Sequence, residues 1–220
     1  MNSHLVVASP PPNPKTLSKT EYFRREILET ALKHFSLYGY EGASIRRIAQ
    51  ELNTTHSLII YHFSSKDELW RATLEWAVGD YVQSTLNLLR ESPDTAATTL
   101  RKFIERFVRL SAQRPEIHRI LTMAGTQQDS RIDWLIETHL KEHFDFVVNL
   151  IRQGQQEGTV RVGDPVRLYY HIIGSAGTLF TLSEEFQLLT GKDVFSETEI
   201  YYTIAFIFDV VFEQNRRASP

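Results

Sequence analysis

The chain has no cysteine, which excludes disulfides, thiol nucleophiles and thiolate metal centres and is compatible with a reducing compartment. It also lacks any apolar run approaching the roughly 20 residues that a membrane-spanning helix needs, so no membrane segment is expected. Leu5-Val6-Val7-Ala8, followed at once by Pro10-Pro11-Pro12, is too short for the apolar core of a secretory signal, and a cytoplasmic protein is expected. No glycine loop of the phosphate-binding kind and no G-x-S-x-G elbow occurs. Accordingly no catalytic residue and no cofactor is expected. Charge of one sign is missing too, because the formal net charge is only −3. That small sum conceals an uneven distribution. Residues 1–70 carry eight Lys/Arg against seven Asp/Glu, a net of +1, whereas residues 71–220 carry sixteen against twenty, a net of −4. Where cations sit decides phosphate affinity, since each neutralised phosphate releases counterions.

What the chain does contain is helical periodicity, and 220 residues are enough for a small domain plus a larger one, each with its own core. The stretch SIRRIAQELNTTHSLIIYHFSSK, Ser44 to Lys66, organises the rest. Ile45, Ile48, Ala49 and Leu52 form one short apolar stripe, and Leu58, Ile59 and Phe63 form another. Asn53-Thr54-Thr55 lies between them and suits a tight turn joining two steeply crossed helices, a helix-turn-helix. Ser44 and Thr55 are placed to N-cap the two helices, and Asn53 occupies the position where such a turn takes a left-handed residue. The outward positions of the second helix, His56, Ser57, Leu58, Ile60, Tyr61 and His62, are mostly polar or amphipathic, as a helix that enters a major groove requires.

These residues resemble the TetR family of transcriptional regulators. The family pattern is an apolar first helix ending in aromatic-x-x-Gly-aromatic, a short second helix, a recognition helix and a closing S-K-x-x-L. Here it reads FRREILETALKHFSLYGYEGASIRRIAQELNTTHSLIIYHFSSKDELW. Asn53 and Thr54 replace a common Gly-Val, and Ile60 replaces a frequent Tyr. The resemblance implies a homodimeric regulator, a repressor, that binds double-stranded operator DNA and is released by a small-molecule effector. It also implies roles for individual residues. Arg46 would reach a base edge, where Arg on guanine is the commonest specific contact. His56, Ser57 and Ile60 would face bases or a thymine methyl, while Ser44, Tyr61, His62 and Lys66 would hold phosphates, with Arg47 on the same side and Thr55 capping the helix.

The fold class that follows is all-α with about nine helices: a flexible N-terminal arm (1–20), a helix-turn-helix domain (21–68) and a helical ligand-binding and dimerisation domain (69–220). The first helix runs from Tyr22 and stops at Gly39. Ser65 and Glu68 form a capping box for a helix through Leu86 that ends at Ser92-Pro93, after which Asp94 restarts helix. Pro115 opens a short helix closed by Gly125, and Ser130 with Asp133 opens a longer one. Residues 154–163 form a polar loop. Asp164-Pro165 starts one long helix reaching Leu189, and Ser196 with Glu199 caps the last. Both of these final helices are apolar on more than one face, so a second subunit is expected to cover the spare face, with Gly174, Ser175, Ala176 and Gly177 allowing close approach.

The resemblance further implies an effector cavity in the second domain. Aromatic and lone polar residues on apolar helix faces supply its candidates: Trp76, Tyr81, Phe103, Phe107, His118, Thr122, Phe146, His171 and Thr178. One spacing points elsewhere. His139-Leu-Lys-Glu142-His143 matches H-x-x-E-H, in which two histidines four apart bind zinc beside a glutamate base. The alternative reading is therefore a metal-dependent hydrolase, or a metal-sensing regulator, built on His139, Glu142 and His143.

Overall fold

A computed structural model describes residues 18–90, 94–126 and 130–213. The expected arm lies outside these residues except for its last three, and so does the Ser92-Pro93 stop. The regular structure among the described residues is helical apart from one isolated antiparallel bridge. Their order is α1 (Lys19–Gly42), α2 (Ile45–Glu51), α3 (His56–Phe63), α4 (Lys66–Leu74), a π-turn π1 (Glu75–Gly79), α5 (Asp80–Arg90), α6 (Ala96–Gln113), α7 (Pro115–Gly125), α8 (Ser130–Leu135), a second π-turn π2 (Ile136–Leu140), α9 (Lys141–Gln156), α10 (Pro165–Thr181), α11 (Ser183–Thr190) and α12 (Glu197–Val211). The chain divides into two compact units between Thr73 and Leu74.

In the first unit, α1 begins earlier than expected because Ser18 and Glu21 form a complete capping box: Glu21 N donates to Ser18 Oγ and Ser18 N donates to Glu21 Oε2, 2.9 Å. That satisfies two of the amides a helix start leaves open. The helical run ends where the glycine predicts, since Gly39 has φ 67° and ψ 178° and kinks the segment. Ile27, Leu28, Ala31, Leu32 and Phe35 of α1 are buried with Ile45, Ile48 and Ala49 of α2 and with Ile59 and Phe63 of α3. Burying side chains of this size stabilises by about 1.5–3 kcal/mol each before chain entropy is subtracted.

The second unit is organised on α6, whose buried face carries Leu100, Phe103, Ile104 and Val108. Against it pack α9, α10 and α12, which contribute Val147, Ile151, Ile172, Phe180, Ile204 and Ile207 to one apolar cluster.

Several boundaries depart from the sequence pattern. The restart after Asp94 is capped by Thr95, whose hydroxyl accepts from Thr98 N. Residues 154–163 are not simply a polar loop. Helix α9 continues to Gln156, and Val160 is fully buried, with Arg161 N donating to Val211 O at 2.9 Å and Glu213 N to Thr159 O at 3.1 Å. This bridge ties the end of α9 to the end of α12. Gly154 is required there because a Cβ would run into Val160. The helix from Pro165 breaks at Leu182, so α11 is separate and buries none of its residues. The expected count of about nine is thus exceeded among the described residues by this one break, the π-turns only interrupting segments that abut in sequence. Finally, Gly177 does not offer a free face. It is buried, and a Cβ there would overlap the His118 ring of α7. Ala176 is fully buried as well, whereas Gly174 faces open space.

Candidate nucleic-acid interface and helical interior

Helix α3 is amphipathic in an unusual sense: it is held by few residues and offers many. Ile59 and Phe63 are buried, Ile60 and His62 are half-buried, and His56, Ser57 and Leu58 are exposed. Tyr61 stands 82% exposed, an extent that core packing does not explain. Leu58 therefore belongs to the outer surface and not to the apolar stripe in which the sequence periodicity puts it. The helix start is fixed by Thr55, whose side chain accepts from Leu58 N at 3.2 Å. Asn53 has φ 50°, the left-handed turn that its position calls for. Ser44 precedes α2 as N-cap but its hydroxyl makes no cap bond and is half-buried. Arg46 and Arg47, in the first turn of α2, are both exposed.

The far end of α3 is held by residues that the sequence pattern does not single out. Arg24 Nη1 donates to the His62 carbonyl at 3.0 Å, and its guanidinium lies 4.2 Å from the centre of the Phe63 ring. Phe23 meets the His62 ring edge-on at 5.8 Å. Thus α1 orients the last turn of α3 through a cation on a helix C-terminus, the favourable sign for the backbone dipole. Lys66 has comparable internal contacts: its ammonium donates to Glu41 O at 3.2 Å and sits 4.6 Å from the Tyr40 ring centre. Two further protons of that ammonium are available for another acceptor.

In the second unit the ligand candidates fall into separate groups. Phe103 is fully buried and stacks on half-buried Phe107 at 5.8 Å, and half-buried Phe146 packs on the same cluster. Tyr81 Oη is enclosed near Thr85, and burial pushes its phenol well above the usual range. The Arg106 guanidinium lies 5.5 Å from its ring and Arg114 lies 4.8 Å from the Trp76 ring. His118 is half-buried over Gly177, and desolvation lowers its pKa. Thr122, His171 and Thr178 are exposed, and Thr122 returns its hydroxyl to the His118 carbonyl at 2.9 Å. The structure does not bring these three to the buried aromatic residues.

The H-x-x-E-H residues do not assemble as a metal site. Glu142 is exposed while His139 and His143 are each 5% exposed. Among the described residues no group of three or more His, Asp or Glu is placed to hold a metal ion. The two imidazoles have other surroundings. His139 meets Trp134 edge-on at 5.3 Å, and its Nε2 is 3.0 Å from Glu75 Oε2 but off the line of a hydrogen bond. His143 lies 5.2 Å from the Phe103 ring and 6.5 Å from that of Tyr169, its Nε2 is sealed without a partner, and desolvation lowers its pKa to about 4. Spacing alone singled out this pair, though for the wrong chemistry.

Comparisons with known proteins agree with the geometry of both units. The family model described as bacterial regulatory proteins, tetR family, matches residues 27–73, and that described as tetracyclin repressor-like, C-terminal domain, matches residues 97–211. The HTH-type transcriptional repressor AcnR of Corynebacterium diphtheriae is 43% identical over 49 residues, 22% of this chain and 26% of that protein. The repressor KstR2 of Mycolicibacterium smegmatis is 26% identical over 168 residues, 73% of this chain and 78% of that one. Among solved structures, AibR in complex with isovaleryl coenzyme A and operator DNA has the same fold, with a TM-score of 0.70 at 20% identity over 86% of this chain and 97% of that one. The ketosteroid regulator KstR2 of Mycobacterium tuberculosis gives 0.66 at 19% identity over 87% and 96%. These relatives are regulators of transcription and not enzymes, and no described helix is long and apolar enough to cross a membrane. With a helix-turn-helix in the first unit, a helical second unit and a family model on each, the chain belongs to the TetR family of bacterial regulatory proteins.

Proposed function

We propose that the protein is a cytoplasmic, one-component repressor that binds operator DNA as a homodimer and is released by a small-molecule effector. The observation that carries this reading is the outer face of α3: His56, Ser57 and Tyr61 stand exposed on a helix anchored by Ile59 and Phe63, beside exposed Arg46 and Arg47. A polar helix face flanked by cations is what major-groove reading with phosphate contacts requires. In this reading Arg46, His56, Ser57 and Ile60 read bases. Ser44, Arg47, Tyr61, His62 and Lys66 hold the backbone, and Thr55 sets the helix start.

Dimerisation is supported by apolar surface that one chain leaves uncovered. Tyr170 on α10 and Tyr201, Tyr202 and Phe206 on α12 are 57–64% exposed, and aromatic residues clustered on an outer face are the composition of a subunit contact. Binding of a small molecule by this fold is supported by one structural neighbour, since AibR was solved in complex with isovaleryl coenzyme A and operator DNA. Phe103, Phe107, Phe146, Tyr81, Trp76 and His118 are the lining proposed for this chain.

The test is selection from randomised duplexes with the purified protein. The reading expects an inverted repeat whose half-sites lie about one helical turn, 34–36 Å, or a multiple of it apart. Recovery of no enriched sequence, or of a lone half-site bound by a monomer, overturns it.

A further inference from the structure

Two histidines in the second unit remain unused by anything above, and they share one place. His139 is in π2 and His143 in the first turn of α9, four residues apart and therefore neighbours on one helix face. Both side chains are at least nine-tenths buried, and in both the Nε2 atom is sealed from solvent without a hydrogen-bond partner. A buried polar group without a hydrogen bond is costly, so the sealed Nε2 of His143, and that of His139 with Glu75 at 3.0 Å but off the line of a bond, are a defect if packing is their only purpose.

Their surroundings are equally specific. Trp134, Phe103 and Tyr169 touch the two rings, while Phe107 stacks on Phe103 and Phe144 meets Tyr169 edge-on at 5.0 Å. Phe107 and Phe144 are only half-buried, so they can turn aside without opening the centre of the core. The backbone is widened around His139. The π-turn π1 packs against π2 through Gly79, where a Cβ would come within 3.2 Å of His139 Cε1, and Glu75 of π1 reaches towards His139 Nε2. Single π-turns inside α-helices are frequent at functional sites, and here two of them meet.

We propose that His139 and His143 form the polar floor of the effector site, and that the effector is an uncharged ring compound bearing a hydroxyl group. This rests on the regulatory reading above and names the ligand chemistry for it. The hydroxyl follows from the acceptor and donor inventory: an imidazole Nε2 presents either an N–H or a lone pair, and a hydroxyl serves both because it donates and accepts. A carbonyl would serve only the first. The ring follows from the flat walls of Phe103, Tyr169 and Trp134, against which an aromatic or alicyclic body buries most area. Absence of charge follows from the groups that face the site. Burial keeps the His143 imidazole neutral, so it offers no charge to an anion, and Glu75, 3.0 Å from His139 Nε2, would repel a carboxylate. A ligand bonded to His139 also competes with Glu75, and so acts on π1, the segment that directly follows α4.

The experiment uses the full chain with three probes of one shape: p-cresol, p-xylene and p-toluate. Calorimetry gives affinities, and 15N spectra of histidine-labelled protein report the imidazole nitrogens. The expected result is that p-cresol binds at least about tenfold more tightly than either of the others, and shifts the Nε2 signals of His139 and His143. Signals are assigned by their loss in His139→Gln and His143→Leu, while the probe series itself needs only the native chain. Equal affinity for p-cresol and p-xylene, tighter binding of p-toluate, unmoved imidazole signals or no binding of p-cresol each overturns the site. Operator titrations run in parallel keep the two readings apart. If p-cresol binds at the histidines and leaves DNA affinity unchanged, the site stands and effector release falls. If the protein selects no DNA, the regulatory reading falls whatever the probes do.

Discussion

Acid should unfold this protein earlier than its carboxylates alone would dictate, and replacing His143 with leucine should remove most of that sensitivity. In the folded chain the imidazole is 5% exposed, against Phe103 and Tyr169, and desolvation brings its pKa from 6.5 to about 4. Burial disfavours the charged form, so the unfolded chain takes up a proton at a pH where the folded chain refuses it. Stability is therefore intact above the unfolded value of 6.5 and is lost as pH falls from there towards 4, by about 3 kcal/mol for a shift of this size. About 2 kcal/mol of that loss should already appear between pH 7.5 and pH 5. His118, lowered in the same direction by burial, adds to the slope in the native protein and in the variant alike. The carboxylates of Glu21 and Asp164, lowered by hydrogen bonds to Ser18 and to Arg167 N, act only at lower pH. Leucine is close to histidine in volume and leaves no unpartnered nitrogen, so His143→Leu should match or exceed the native stability at neutral pH. Urea unfolding followed by circular dichroism, at fixed protein concentration and several pH values, measures the difference. Parallel stability curves for the two proteins between pH 7.5 and pH 5 would show that His143 is not held neutral, and the reasoning would fail.

Arg46→Ala should relax base preference at one position per half-site, by about 1–3 kcal/mol of lost discrimination, measured on a panel of single-base operator variants; an affinity scaled down uniformly would make Arg46 a phosphate contact. Lys66→Ala should weaken all sequences alike and lower the salt slope by about one, and because Lys66 also holds Glu41 O and covers Tyr40 it should lower the melting temperature. A change in base preference would refute its assignment to the backbone. Tyr202→Asp with Phe206→Asp should give a helical monomer that loses operator binding, since two linked heads gain effective concentration that one lacks. Light scattering that still reports a dimer would place the interface elsewhere.

Much of the architecture was legible because local rules agree with one another along this chain. Thr55, Asn53, Gly39, Pro115 and Asp164 each perform the cap, turn or start that their residue type predicts, and the apolar stripe of α2 names its buried face through Ile45, Ile48 and Ala49. The errors occur where tertiary contacts override local pattern. Leu182 breaks a run whose composition would continue as helix. Residues 154–163 look polar, yet Val160 is fixed by a bridge to Phe212, about fifty positions away, and no local signal carries a pairing of that separation. Gly177 resembles a contact glycine for a partner helix, but its vacancy is filled by His118 from its own chain.

The interior site was harder to read for a different reason. Periodicity identifies which face of a helix is buried, but not whether a polar atom on that face finds a partner, because partners come from other helices. Phe103 and Phe107 were named from their stripe and do lie together, whereas Thr122, His171 and Thr178 sit on the same kinds of faces and end exposed. For His139 and His143 the spacing of four was the visible signal, and a metal is the ligand that spacing most readily suggests. What changes the chemistry is desolvation. Two imidazoles are buried without a third ligand, against Trp134, Phe103 and Tyr169, and a buried imidazole with no metal to bind needs a hydrogen-bonding group instead. The π-turns carry the same lesson in the backbone: Glu75–Gly79 and Ile136–Leu140 satisfy helical patterning residue by residue, and only their packing through Gly79 shows that each has been widened where it faces the other.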